Sequence, residues 1–183
     1  PNIKLNGSGR NSTMPILRIS TAVALVSLLI SGAASAVEPK SLGQFRDWEA
    51  FVASDGGGKV CYAVSSPKKS EGKYSKRDPV LLMVARRPAD KVYDEASAIA
   101  GYQYQKGSRP EFRVGKRRFV AEGAGEVAWP RKKDNRKLVN AMRGGATLEL
   151  LGTSARGTRT VDEFSLRGIT AALKATARAC PSR

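Results

Sequence analysis

ATLELLGTSARGTRTVDEFSLRGITAALKATARAC, residues 146–180, is the stretch that decides the fold. ATLELLGTS (146–154) and RTVDEFSL (159–166) read as strands, and SARGT between them has the composition of a turn. The spacing then changes. Ile169, Leu173, Thr176 and Cys180 recur at helical intervals over 168–180, and Pro181 cannot continue a helix. Strand, turn, strand and helix follow directly, without the strand–helix–strand alternation of a parallel sheet.

The chain upstream reads the same way. FRDWEAFVA (45–53) is strand-like, SDGGGK is a turn cluster, and KVCYAVSS (59–66) can form a hairpin with the first strand. PKKSEGKYSKRDP (67–79) is a polar, basic loop. VLLMVARR (80–87) is nearly continuous apolar sequence, which predicts a central strand buried on both faces. EASAIAGYQYQ is a weaker strand with Gly101 as a bulge. EFRVG and KRRFVAE pair across Gly115, and EVAWP is a short strand closed by Pro130. Asp134 caps a short helix, NRKLVNAMR, which Gly144 ends. About eight strands and two helices result. The expected fold is mainly β: an antiparallel β-sandwich or barrel-like domain with a short internal helix and a C-terminal helix.

From Met14 the chain reads MPILRISTAVALVSLLISGAASAVEPK. Arg18 supplies a positive start, Ala22–Ile30 is apolar apart from Ser27, and Ala34-Ser35-Ala36 matches a cleavage site. These are the three parts of a secretory signal in order. The run is shorter than the roughly 20 apolar residues that span a bilayer. The expected organisation is an upstream extension or expression remnant over 1–13, a signal peptide over 14–36, and one β-rich domain over 37–183. The expected location is the periplasm or the outer-membrane surface. Such compartments are oxidising. The sequence has two cysteines, so Cys61 is the only possible intrachain partner of Cys180, and a bridge would staple the last helix to a strand.

The sequence contains no histidine. That removes a Ser-His-Asp triad, a Cys-His pair and the commonest zinc ligand. No phosphate-binding Gly-rich loop occurs, and GAGEVA near Gly123 opens no helix. Asp47 and Glu49 share one strand face, and Asp162 and Glu163 sit in another strand; all read as solvated acids rather than a catalytic pair. No catalytic residue, metal site or cofactor is expected.

The positive signal is charge. Residues 1–36 hold Lys4, Arg10 and Arg18 and no acid, so the net charge of +16 becomes +13 once they are removed. The clusters are Lys68-Lys69 through Lys76-Arg77, Lys116-Arg117-Arg118, Arg131-Lys132-Lys133 through Arg136-Lys137, and Arg156 with Arg159. Lys116, Arg117, Arg118, Arg131, Lys132, Lys133 and Arg156 are the candidate anion-binding residues. Such a field attracts anionic partners. Nucleic acid is not the expected one, because export removes it from reach and no aromatic residues interleave the charges. Lipopolysaccharide phosphates, anionic phospholipid met peripherally, and host glycans remain; oligomeric state is left open.

FRDWEAF with Cys61, VLLMVARR, VAWP, LVNAMRGGATLELLGTSARGTRTVDEFSLRGITAAL and Cys180 together resemble the invasion-associated locus B family, over about Leu42 to Cys180. The most specific part is GTSARGT followed by FSLRGITAAL. The resemblance implies an exported, alphaproteobacterial, non-enzymatic protein linked to host interaction, with no catalytic residues to carry over. Within GTSARGT, Gly152 and Gly157 would permit a tight turn, and Thr153, Ser154 and Thr158 would bond locally. Arg156 would then be presented to a ligand. Trp48 and Trp129 are expected to be core anchors. The leading expectation is a disulfide-stapled binding protein using basic loops. The alternative is a cell-envelope polysaccharide or peptidoglycan enzyme, or an inhibitor of one.

Overall fold

A computed structural model of the chain describes residues 38–54 and 57–182. The segments expected to be an extension (1–13) and a signal peptide (14–36) lie outside the described residues. Within them, half-buried and buried side chains alternate along strand after strand, and eleven strands form one antiparallel sheet. In chain order these are β1 (Lys40–Phe45), β2 (Trp48–Ser54), β3 (Lys59–Ser65), β4 (Lys69–Gly72), β5 (Leu81–Arg87), β6 (Val92–Ile99), β7 (Glu111–Val114), β8 (Arg117–Ala124), β9 (Val127–Pro130), β10 (Thr147–Thr153) and β11 (Arg159–Ser165). Two α-helices, α1 (Lys132–Gly144) and α2 (Ile169–Ala179), pack on the sheet. The spatial order is β1-β2-β3-β5-β6-β9-β8-β7-β10-β11-β4. The domain is therefore mainly β with one mid-chain and one C-terminal helix, as the patterning predicts. The outer strands β1 and β4 do not pair, so the sheet is not closed into a barrel.

The long strand β8 belongs to both halves of the sheet, pairing with β9 on one side and β7 on the other. The halves turn toward each other across a single apolar cluster. Trp48 shows how closely they meet: it is fully buried, and its indole Nε1 donates to the Ser165 carbonyl of β11 at 2.9 Å. Burying a side chain of that size is worth roughly 4–6 kcal/mol against full exposure. The strands under the helices carry small buried residues, Ala50, Ala63, Ala96, Ala98, Ala121 and Ala128. Such positions let a helix sit close to the sheet. Leu138, Val139, Ala141 and Met142 are the buried stripe of α1, and Ile169, Ala172, Leu173 and Thr176 that of α2.

The disulfide is present. Cys61 in β3 and Cys180 just after α2 are bonded, with Cα atoms 6.0 Å apart and both residues buried. Beside it, Arg86 occupies a core-facing position of β5 and is 6% exposed. Each nitrogen of its guanidinium is bonded: Nε donates to the Cys180 carbonyl at 3.0 Å, Nη1 to Asp94 at 3.0 Å and Nη2 to the Ser182 hydroxyl at 2.9 Å. Arg143 of α1 donates to the other Asp94 oxygen at 2.8 Å. Asn135 of α1 accepts from the Ala96 amide and donates to the Asp94 carbonyl, both at 2.9 Å. It thus does for the free edge of β6 what a neighbouring strand would do.

Several expectations need correction. The run 45–53 is not one strand: Phe45 pairs with Trp48, and Arg46 adopts a left-handed φ of 56° in the turn between β1 and β2. Asp47 therefore lies in the turn, off the face of Glu49. Its carboxylate accepts from the Ser165 hydroxyl at 2.7 Å and meets Lys68 at 2.7 Å. Those contacts, the Lys68 one first, hold its pKa below the ordinary carboxylate value. The loop 67–79 contains β4, a four-residue exposed strand held only by β11. β5 is central, between β3 and β6, but only Leu82, Val84 and Arg86 are buried; Leu81, Met83 and Ala85 on the other face are partly open. The internal helix starts three residues earlier than predicted, and Asp134 does not cap it; it pairs with Arg131 instead. Trp129 is 38% exposed on β9 and is no core anchor.

Candidate functional site

Three connections meet at one end of the sheet: 73–80 between β4 and β5, 100–110 between β6 and β7, and 154–158 between β10 and β11. Backbone hydrogen bonds tie them together. Gln105 N donates to Thr153 O at 3.0 Å, Ala155 N to Gln103 O at 2.7 Å, and Asp78 N to Gly101 O at 3.2 Å. Gly101 has a φ of +67°, and a Cβ there would lie 2.1 Å from the Asp78 carbonyl oxygen. Only glycine allows these two chains to touch. The turn 154–158 closes through Ser154 N to Thr158 O at 2.9 Å and Gly157 N to Ser154 O at 2.8 Å. Gly157 supplies the expected left-handed residue, with φ 81°. Gly152 is needed for a different reason. A Cβ on it would be 2.3 Å from the Tyr102 hydroxyl and 2.9 Å from the Tyr104 ring.

Between the connections lies a cleft of about 580 Å³. Its floor is a buried ion pair absent from the sequence expectations. Arg77 donates through Nη1 and Nη2 to both oxygens of Asp162, at 2.8 and 2.7 Å, and through Nε to the Ala100 carbonyl at 2.7 Å. The two side chains are 5% and 0% exposed. Burial works against the Arg77 charge, but the bonds and charge of Asp162 outweigh it and raise the guanidinium pKa. The guanidinium also lies 4.8 Å from the Tyr102 ring centroid and 5.4 Å from that of Tyr74. The Tyr102 hydroxyl shares a 2.7 Å hydrogen bond with Thr160 Oγ1. Burial pushes the Tyr102 and Tyr104 phenols up, Tyr104 the further. The Tyr104 hydroxyl is buried without a hydrogen-bond partner.

The rim is basic. Lys73, Lys76 and Arg156 line the cleft, are exposed, and have no ion-pair partner among the described residues. Asp78 is the one acid open to it, because Asp162 is sealed beneath Arg77. Side-chain hydroxyls and an amide, from Ser75, Thr158 and Gln103, complete the wall. Such a cleft can hold a negatively charged group and hydrogen-bond what surrounds it.

Of the candidate residues, Arg156 is the one the structure places in this cleft. Lys116, Arg117 and Arg118 form the β7–β8 hairpin, where Arg117 lines a second hollow with Asn140 and Gly144 at the end of α1. Arg131, Lys132 and Lys133 stand at the start of that helix, and Arg131 is already paired with Asp134. A 13-residue helix rises about 20 Å, which separates the hairpin from Arg131–Lys133. The candidates thus do not converge on one site. Lys73 and Lys76 belong to a cluster the charge reading marked without singling them out. Asp162 had one available signal: it alternates with Thr160 and Phe164 on the buried face of β11.

Among the described residues no three of Cys, Asp and Glu gather as a metal-ligand set, and no helix is long and apolar enough to cross a membrane. Comparison with known proteins found no match among curated sequences or solved structures. Residues 48–177 match the family model described as invasion associated locus B (IalB) protein. That span runs from the buried tryptophan of β2 almost to the end of α2, well over half of the chain. The chain belongs to the invasion associated locus B (IalB) family.

Proposed function

We propose that this protein is an exported, non-enzymatic binding protein that engages anionic components of the cell envelope or of a host surface through its basic loops. The observation that carries the reading is the rim of Lys73, Lys76 and Arg156, three exposed cations that open onto one cleft and spend their charge on no acid among the described residues. The signal-like segment at 14–36 and the disulfide support export to an oxidising space. The alternative, an envelope polysaccharide enzyme, needs two acids in a shared cleft. The cleft offers Asp78 alone, since Asp162 is consumed by Arg77.

The test is binding of the purified protein to outer-membrane vesicles and to immobilised heparin over a salt series. Binding should weaken steeply as salt rises, because salt screens exposed ion pairs and opposes the release of the polyanion's counterions. Absence of binding at low salt, or binding indifferent to salt, would overturn the proposal.

A further inference from the structure

Another hollow, of about 630 Å³, adjoins the 580 Å³ cleft and is bounded by β4, β11 and the far side of the 154–158 turn. The two share Lys73, Arg156 and Thr158 in their walls. Lys76 lies at one end and Arg159 at the other. The four cations therefore line two adjoining lobes, a shallow trough in which Lys73 and Arg156 belong to both walls. Each lobe is large enough for a drug-sized molecule. A single phosphate would fill little of either.

We infer that this trough is a binding site for an acidic oligosaccharide, a run of sugars bearing carboxylate, sulfate or phosphate groups. The inference rests on the anion-binding reading above and names its ligand class. Three observations favour sugar over an acidic peptide. First, the turn has almost no amide to offer. The amides of Ser154, Ala155, Gly157 and Thr158 are all engaged, the last by the Ser154 hydroxyl at 3.2 Å. An extended peptide draws its affinity from main-chain bonds. Second, the uncharged wall is hydroxyls and an amide, which match sugar hydroxyls as donors and acceptors. Third, Tyr74, 40% exposed and with the Arg77 guanidinium over its ring, offers an aromatic surface beside the cations. A ring of that kind is apolar in body and wet at its tip, the partner a sugar face requires. A flat membrane surface fits less well, because Tyr102 and Thr160 lie on the cleft floor below the rim.

The experiment measures calorimetric affinity of the purified, disulfide-bonded protein for size-fractionated heparin di-, tetra- and hexasaccharides, at one ionic strength. Inorganic phosphate and poly-L-glutamate of matched charge are the controls. Affinity should rise with sugar length and exceed that for polyglutamate by about tenfold. Lys73→Glu with Arg156→Glu should lower it by about tenfold or more, and Lys116→Glu with Arg117→Glu and Arg118→Glu by less than about threefold. Tyr74→Ala should weaken the sugar and leave phosphate unchanged. Hydrogen exchange on the wild-type chain gives the same answer without any variant: bound hexasaccharide should protect 73–76 and 154–158. Equal affinity for polyglutamate would overturn the sugar assignment. Loss of binding through the hairpin variant alone would overturn the trough and spare the anion-binding function. Failure of every anion would remove both.

Discussion

Replacing Arg77 by alanine removes one half of an ion pair whose other half has no route to water. Asp162 is wholly buried, and both its oxygens are bonded to Arg77. The variant must bury a bare carboxylate or protonate it. Breaking a buried pair in this way costs about 3–5 kcal/mol. At about 2–4 °C per kcal/mol for a domain of this size, the melting temperature should fall by roughly 6–20 °C. Asp162→Ala should cost a similar amount, because it strands a guanidinium that is almost as buried. Arg77→Met with Asp162→Leu removes both charges and restores apolar volume, so it should lie within about 1 kcal/mol of the wild type. Urea and thermal unfolding followed by circular dichroism, with the disulfide intact, of Arg77→Met, Asp162→Leu and their combination closes a double-mutant cycle. Single variants that each cost under about 1 kcal/mol, or a pair whose effects simply add, would refute the view that the cleft floor is a mutually dependent buried pair.

The remaining predictions concern the bridge, the β1–β2 turn and the close approach at Gly152. Cys180→Ser opens a loop whose ends are 119 residues apart, which the chain-entropy treatment values at about 4–5 kcal/mol; the variant should melt lower and yield to protease, while the wild type should give no alkylation by mass until reduced. Asp47 has a folded pKa below its unfolded value near 3.9, so its contribution is fully present above that pH and is lost as pH falls through the lowered value. Asp47→Asn should flatten that part of the stability–pH curve in urea titrations between about pH 5 and 2; a curve unchanged by the substitution would show that the Lys68 and Ser165 contacts do not persist in solution. Gly152→Ala drives a methyl into the Tyr102 hydroxyl and should cost about 1–3 kcal/mol in thermal melts, with Tyr102→Phe in the same chain recovering part of it.

The strand-rich class, the β10–turn–β11–α2 run and the Cys61–Cys180 pair were legible because each rests on a local signal: alternation, turn residues, helical spacing, or a count of two cysteines. What escaped rests on partners distant in sequence. β4, KSEG, has no apolar alternation and exists only because β11 offers it an edge some ninety residues later. The β1–β2 turn was hidden because Arg46, the left-handed residue, is no turn former, and Asp47 is a single turn residue inside an otherwise strand-like run; the contact that holds Asp47, the Ser165 hydroxyl, lies more than a hundred residues away. Trp129 carries the apolar signature of a core residue but alternates with buried Ala128 and Pro130, so it faces outward. The charge clusters were visible and their grouping was not. Linear spacing put Arg131–Lys133 and Lys116–Arg118 forward, whereas the cleft joins Arg156 to Lys73 and Lys76 through the pairing of three loops. Asp162 read as solvated because its guanidinium partner lies in a loop that no periodicity connects to β11.

The Cys61–Cys180 bridge also bears on how the protein is made. Its first sulfur is in β3, and its second comes only after α2, so Cys61 lacks this partner until the chain has been made through residue 180. Arg86 waits in the same way for the Cys180 carbonyl. Any product cut short before residue 180 therefore lacks both the crosslink and that carbonyl, and displays an unpaired thiol where the finished molecule has none. Synthesis through residue 180 becomes a chemical property of the third strand, one that a quality-control oxidoreductase or protease could read.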